Sequence, residues 1–418
     1  MQRRTFLHSL AAGSLLLPFG PNLWAATGPG ANPATNPAPA ANKKLVVIML
    51  RGAVDGLNVV APLGDTNYMR LRPSIALARP GSEHGALALD NFFGLHPALA
   101  DIMPLWQQRK LAFVHACGSP DPTRSHFDAQ DFLESGTPGI KSTGDGWMNR
   151  LLAQLPGQDS PTRALSIGPV MPRILSGAAA SSTIASGAAG TRANLLDKPA
   201  IGNAFAELYQ NDAKLARTYD EAQTSHQDMM AAANSPNKGE AEADFGAALP
   251  NGFPDDAARL AKLLKNEPRI RMAFLALGGW DTHANQGAGQ GQLANRLAPL
   301  GQGLAVLARQ LGPMLQDTSI VVMSEFGRTA KQNGNGGTDH GHGNVMWLLG
   351  GNVQGGKVHG VWPGLDAGQL YEGRDLAVTT DFRSVLGQLA QNHLGLNDSQ
   401  LAQVFPRMPA SASLRLFA

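Results

Sequence analysis

Leu45-Val46-Val47-Ile48-Met49-Leu50 is an unbroken apolar run with three β-branched members. A strand covered on both faces reads in this continuous way, whereas a half-exposed strand alternates. The chain leaves the run through Arg51-Gly52-Ala53-Val54-Asp55-Gly56-Leu57-Asn58, which sets an acid in a glycine-flanked turn just beyond the strand. Similar apolar runs stand at Leu111 to Ala116, Ile270 to Leu277, Ser319 to Met323 and Val345 to Leu349, and they read as parallel strands of one sheet. Between them lies a helical stripe at Leu293, Leu297, Leu300, Leu304, Leu307, Leu311 and Leu315, spaced by three and four. Pro299 falls inside it and predicts a kink or a late start. Strands alternating with helices predict an α/β fold, a mostly parallel central sheet flanked by helices.

The composition agrees with a packed domain. Of 418 residues, 43% are hydrophobic and 16% charged, and the 48 glycines follow no triplet period, which excludes a collagen-like or wholly disordered chain. Lys and Arg number 34 against 32 Asp and Glu, so there is no basic surplus of the kind nucleic-acid binding needs. The single Cys117 permits no intrachain disulfide and reads as a small buried apolar side chain. Residues 1–26 carry Arg3 and Arg4, no acid, an apolar run to Leu17 and a small-residue end at Trp24-Ala25-Ala26. They resemble a twin-arginine signal peptide. That resemblance implies transient engagement of the twin-arginine translocase and a periplasmic or secreted mature protein. Gly13 and Pro18 break the run, which is too short for a stable membrane span of about 20 residues. Residues 27–42 hold only Pro, Gly, Ala, Asn and Thr and read as a disordered linker. The main domain is expected over 43–418, with an insertion, part loop and part helical, over about 176–265.

In an open parallel sheet, ligands meet the loops beyond the carboxyl ends of the strands. Here those loops hold Asp55, the pair Asp281 and His283, and Glu325, while Thr338-Asp339-His340-Gly341-His342-Gly343 precedes the last strand. Carboxylates and neutral imidazoles are the ligands of Zn²⁺, Mn²⁺ and related ions, and gathered carboxylates repel one another unless a cation sits among them. Each motif also has an ordinary reading: an Asx turn at Asp55, a helix cap at Asp281, solvated loop histidines at His340 and His342. A nucleophile is offered by Ser125, at the start of a helix where unpaired N–H groups favour negative charge, with Thr123 as second candidate. Ser125 reads equally well as a plain N-cap. Arg124 and Arg328 could grip phosphate or sulfate oxygens or simply balance charge, and Asn58 is placed with them as a substrate contact. A nicotinamide enzyme is poorly supported, because Gly334, Gly336 and Gly337 open no strand-to-helix turn.

Taken in order, Asp55, Ser125, Asp281, His283, Glu325 and His340 resemble the metal and nucleophile positions of the alkaline phosphatase superfamily, which includes sulfatases and phosphatases. More closely, Gly-Ala-Val-Asp-Gly-Leu-Asn at 52–58, Arg-Ser-His-Phe at 124–127, Gly-Gly-Trp-Asp-Thr-His at 278–283, Ser-Glu-Phe-Gly-Arg-Thr at 324–329 and Asp-His-Gly-His-Gly at 339–343 are similar to the domain of unknown function 1501 family. The likeness implies a three-layer sandwich and one or two divalent ions, of Zn, Mn, Ca or Mg. Asp281, His283 and His340 would hold one ion; Asp55, Glu325 and the Ser125 oxygen would contact another. The superfamily has Asp followed by His where this chain has Glu325-Phe326, so the second site lacks its imidazole, and His342 or His126 could replace it. The implied activity is hydrolysis of phosphate or sulfate esters through Ser125, with Asp339 or His342 moving the leaving-group proton. The alternative is a periplasmic binding or scaffold protein on the same fold.

Overall fold

The computed structural model describes residues 42–157, 160–187, 199–210, 216, 219, 246–409 and 414–417. The expected signal, and the expected linker apart from Asn42, lie outside these residues. No helix among the described residues is long and apolar enough to cross a membrane.

Among the described residues, nine strands form the main sheet: β1 (Lys44–Leu50), β2 (Leu111–Gly118), β3 (Ala164–Ile167), β4 (Ser182–Ile184), β5 (Met272–Leu277), β6 (Thr318–Ser324), β7 (Asn344–Gly350), β8 (Val358–His359) and β9 (Thr380–Asp381). Their spatial order is β8-β2-β7-β6-β1-β5-β3-β4, with β9 paired to β2. All run parallel except β7, which is antiparallel to both β2 and β6. The sequence reading made β7 parallel. Its reversal explains why an apparently misplaced motif belongs to the site: the start of an antiparallel strand lies at the edge where its parallel neighbours end. Register fixes that edge. Leu50 pairs with Leu277 on one side and Ser324 on the other, so the chains carrying Asp55, Asp281 and Glu325 leave the sheet at one level.

The faces of β1 divide the core. Val46, Ile48 and Leu50 belong to one buried cluster, with Phe253, Leu260 and Leu264 of one helix and Leu297, Leu300, Leu304 and Leu307 of another. Leu45, Val47 and Met49 belong to a second, with Trp147, Leu151, Phe382, Val385 and Leu389 on the opposite layer. Burying each such leucine contributes about 1.5–3 kcal/mol, which is why a strand between two helical layers is apolar throughout. The result is the expected three-layer sandwich, with a mixed, mostly parallel sheet and helices on both faces.

Helices of the layers include α1 (His126–Ser135), α2 (Trp147–Gln154), α3 (Phe253–Asn266), α4 (Gln292–Leu311) and α5 (Phe382–Asn392). Helix α4 starts at Gln292 and carries Pro299 inside, so the late start does not occur, and Leu315 falls in the 3-10 turn Gly312–Asp317 that follows. Within the region read as an insertion, β4 joins the main sheet beside β3, and α3 packs into the core through Phe253, Leu260 and Leu264. The helix Pro199–Tyr209 also falls there. Cys117 is buried.

Candidate metal centre

Three segments meet above the carboxyl edge of β1, β5 and β6. Beyond β5 the chain turns at Gly279, whose φ of 86° suits glycine. Trp280 is then fully buried, with Nε1 donating to Leu277 O at 2.8 Å, and this plug fixes where Asp281 and His283 emerge. His126 is the first residue of α1, after the N-cap Ser125. His340 lies on a glycine-rich strap tied down by Gly341 N to Gly327 O and Gly327 N to His342 O, each 2.8 Å. Side chains are essentially absent from the tightest crossing for a steric reason: a Cβ on Gly327 would stand 1.8 Å from Gly343 O.

The donors of His126, Asp281 and His340 lie within 4.8 Å of one another. His340 Nε2 is 3.0 Å from His126 Nε2 and 3.0 Å from His283 Nε2. Asp281 Oδ1 is 3.0 Å from His283 Nε2 and 3.4 Å from His340 Nε2, while Oδ2 is 3.6 Å from His126 Nε2. Donors sharing a tetrahedral ion about 2.0–2.1 Å away would stand about 3.3 Å apart, close to the 3.0–3.6 Å separating His340 and Asp281 from each other and from His126 and His283.

The protons make the case sharper. His126 Nδ1 faces Glu325 Oε1 at 2.7 Å, His283 Nδ1 faces Asp339 Oδ1 at 3.2 Å, and His340 Nδ1 faces Arg124 O at 2.9 Å. Ionised carboxylates and carbonyls only accept, so each Nδ1 must donate, and in a neutral ring Nε2 is then the lone pair. Three lone pairs and a carboxylate therefore converge with no hydrogen between them. Only positive charge relieves that arrangement, as a proton or a metal ion, so the residues fit a divalent cation.

The electrostatics agree. Burial works to lower the His126 pKa, but hydrogen bonds and charge from Asp281 and Glu325 outweigh it and push it up to about 9. Burial would lift the Asp281 carboxyl, yet His126, His340 and the Arg328 guanidinium hold it well below the usual carboxylate range. Glu325 is likewise lowered against burial by His126 and by the Gly52 N–H.

A match to the family described as "Protein of unknown function (DUF1501)" covers residues 42–405 and so contains every segment of this centre. The chain belongs to the DUF1501 family. No curated protein matches it significantly. Among solved structures it is similar to Ps i-CgsB in complex with k-i-k-neocarrahexaose (13% identity, TM-score 0.39, 86% of this chain and 74% of that one covered). A protein in the alkaline phosphatase superfamily from Vibrio parahaemolyticus is also similar (13%, 0.39, 77% and 64%). So is the zinc complex of the C-terminal periplasmic domain of EcEptC from Escherichia coli (10%, 0.35, 75% and 75%).

In this DUF1501 protein the remaining expected site residues are placed as follows. Glu325, fully buried, accepts at Oε1 from Gly52 N (2.8 Å), His126 Nδ1 (2.7 Å) and Gln130 Nε2 (3.0 Å), and at Oε2 from Ser324 Oγ (3.0 Å). It holds the ring of a candidate ligand, His126. Gly52 is needed there: its φ is 110°, and a Cβ would lie 2.9 Å from Asp281 N. Asp339 orients His283 and also accepts from Asn333 Nδ2 at 3.0 Å. Asp55 Oδ2 accepts from Arg72 Nη1 at 2.5 Å and Gln286 Nε2 at 2.7 Å, while Oδ1 is buried without a partner.

Arg328 donates to Ala53 O, Gly52 O, Trp280 O, Thr338 O and Asp281 Oδ1, so it is a buried clamp on Asp281. Arg124 pairs with Asp375 and Glu372. Asn58 donates to Ile75 O and accepts from Tyr68 and Arg72. His342 stacks on Tyr371, ring centroids 4.6 Å apart. Ser125 is exposed, and its Oγ accepts from Asp128 N at 3.5 Å. His126, which the sequence offered only as a replacement imidazole, stands inside the cluster. Its signal was its place in Arg-Ser-His-Phe, at the first turn of a helix aimed at the strand ends.

Proposed function

We propose that this DUF1501 protein is an exported, metal-dependent hydrolase of phosphate or sulfate esters, with Ser125 as nucleophile. The observation that carries the reading is the convergence of three imidazole lone pairs and the Asp281 carboxylate at the carboxyl edge of the sheet. A divalent ion bound there would supply Lewis acidity to an ester oxygen. Ser125, one residue before His126, stands at the positive end of α1, which favours a developing alkoxide. In this reading Ser125 Oγ loses its proton and bonds to phosphorus or sulfur, the alcohol oxygen leaves and takes up a proton, and water then cleaves the ester on Ser125. Asp339 is lowered by the hydrogen bond from Asn333 and, against burial, by His283, so it stays ionised and suits orienting His283 as a hydrogen-bond acceptor more than giving a proton.

The test is hydrolysis of a panel of phosphate and sulfate esters by the metal-loaded protein and by Ser125→Ala. Turnover lost in the variant with metal content intact supports the reading; equal rates remove Ser125 as nucleophile. Export through the twin-arginine route is tested by replacing Arg3 and Arg4 with lysine, which should keep the chain in the cytoplasm.

One observation favours the second reading, a binding or scaffold protein on the same fold. Arg124, Arg328 and Asn58 all engage partners within the protein. Metal binding without turnover of any ester in the panel would select that reading.

A further inference from the structure

We infer that the centre is mononuclear and selects a late first-row transition metal: one ion on His126, Asp281 and His340, with His283 beside the last two, and with the Arg72 guanidinium in place of a second cation at Asp55. The inference rests on the metal-centre part of the proposed function and not on its ester chemistry.

A second ion would need Asp55, Glu325 and a further donor. One oxygen of each acid is already engaged. Arg72 and Asp55 are both fully buried, and the guanidinium is anchored by Nε to Ala330 O (2.9 Å), Nη2 to Thr329 O (2.8 Å) and Nη1 to Asn58 Oδ1 (3.0 Å) as well as to Asp55. A cation entering beside it would meet a fixed like charge in a poorly screened interior, where such repulsion is severe. Glu325 Oε1 accepts from His126, and Oε2 shares the single Ser324 hydroxyl hydrogen with Leu50 O, at 3.0 and 2.6 Å. Phe326, the residue after Glu325, packs on the rings of His126 and His340 at centroid distances of 4.9 and 5.2 Å. It shapes the ligand rings and donates nothing. Asp55 Oδ1, buried and unpartnered, is therefore an atom at which a second ion would declare itself.

The donor set also speaks to the identity of the ion. Ca²⁺ and Mg²⁺ prefer six or more oxygens, whereas three imidazoles with one carboxylate suit Zn²⁺, Fe²⁺, Co²⁺ or Ni²⁺.

The experiment uses the full chain, stripped with chelator and titrated calorimetrically with Zn²⁺, Ca²⁺ and Mg²⁺, with elemental analysis of the loaded protein. We expect one Zn²⁺ per chain, no saturable Ca²⁺ or Mg²⁺ binding at equal concentration, and a loss of about 100-fold or more in Zn²⁺ affinity in His126→Ala. Asp55→Asn should keep one site with affinity within about threefold of wild type. Two ions per chain, comparable Ca²⁺ binding, unchanged affinity in His126→Ala, or a tenfold loss in folded Asp55→Asn would overturn the inference. Should Asp55→Asn strand Arg72 and unfold, the wild-type stoichiometry and Asp55→Asn combined with Arg72→Met decide it. Bound metal without ester turnover would sink the hydrolase reading and leave this one standing.

Discussion

Replacing Glu325 with Gln should change metal affinity by an amount that depends on pH. His126 donates Nδ1–H to Glu325 Oε1 at 2.7 Å, and its pKa stands at about 9. At pH 7 an incoming ion must therefore displace a proton from Nε2. Each pH unit below 9 costs about tenfold in apparent affinity, so wild-type affinity should rise about 100-fold between pH 7 and 9 and then level. Glu325→Gln removes one of the two charges that hold this proton, and the plateau should move to lower pH. The same change releases the ring, and loss of an orienting carboxylate costs about 10–100-fold in affinity once proton competition is gone. The two effects oppose each other at pH 7 and only the second survives at pH 9, so the curves should lie close at neutral pH and separate above it. Zn²⁺ titration against a competing chelator from pH 6.5 to 9.5 measures this. A wild-type affinity flat from pH 7 to 9, or a gap between the proteins that does not widen with pH, refutes the reasoning. Stability of the metal-free chain carries the matching sign: a raised imidazole pKa stabilises the fold fully below about 6.5, and the contribution is lost as pH rises through about 9.

Asp339→Asn should leave thermal stability nearly unchanged, because the side chain is 56% exposed, yet weaken Zn²⁺ binding about tenfold by freeing the His283 tautomer. Arg328→Met leaves four carbonyls and Asp281 without their donor and should cost about 3–5 kcal/mol in urea unfolding. Gly327→Ala puts a methyl 1.8 Å from Gly343 O, so the strap bearing His340 must shift; melting temperature and metal affinity should fall together.

Much of the fold was legible because burial on both faces writes itself into sequence as continuous apolar runs. The five strongest runs became β1, β2, β5, β6 and β7. Of the four main-sheet strands that escaped, Ala164–Ile167 and Ser182–Ile184 are short and contain Ser166 or little besides Ser and Thr, and Val358–His359 and Thr380–Asp381 have two residues each, so none offers a run to see. The direction of β7 escaped for a different reason. Its residues, Asn-Val-Met-Trp-Leu-Leu-Gly, are buried throughout, and burial is blind to strand polarity.

The candidate centre was legible to the same depth and stopped at the same kind of boundary. Asp281, His283 and His340 are named by residue type and by position at strand ends, and the structure brings them together. What the chain cannot announce locally is which polar group turns inward on which partner. Glu325 and His126 are 199 residues apart, and only their 2.7 Å contact makes one a ligand and the other its holder. Arg72 is a loop arginine until the fold closes over it and Asp55 together. Both assignments depend on long-range charge pairing at buried carboxylates, where an acid must find either a cation or a donor. Glu325 finds an imidazole, Asp55 a guanidinium, and Asp281 keeps a carboxylate edge among three nitrogens. That division of partners, more than the inventory of acids and histidines, is what makes Asp281 the carboxylate available to a metal ion.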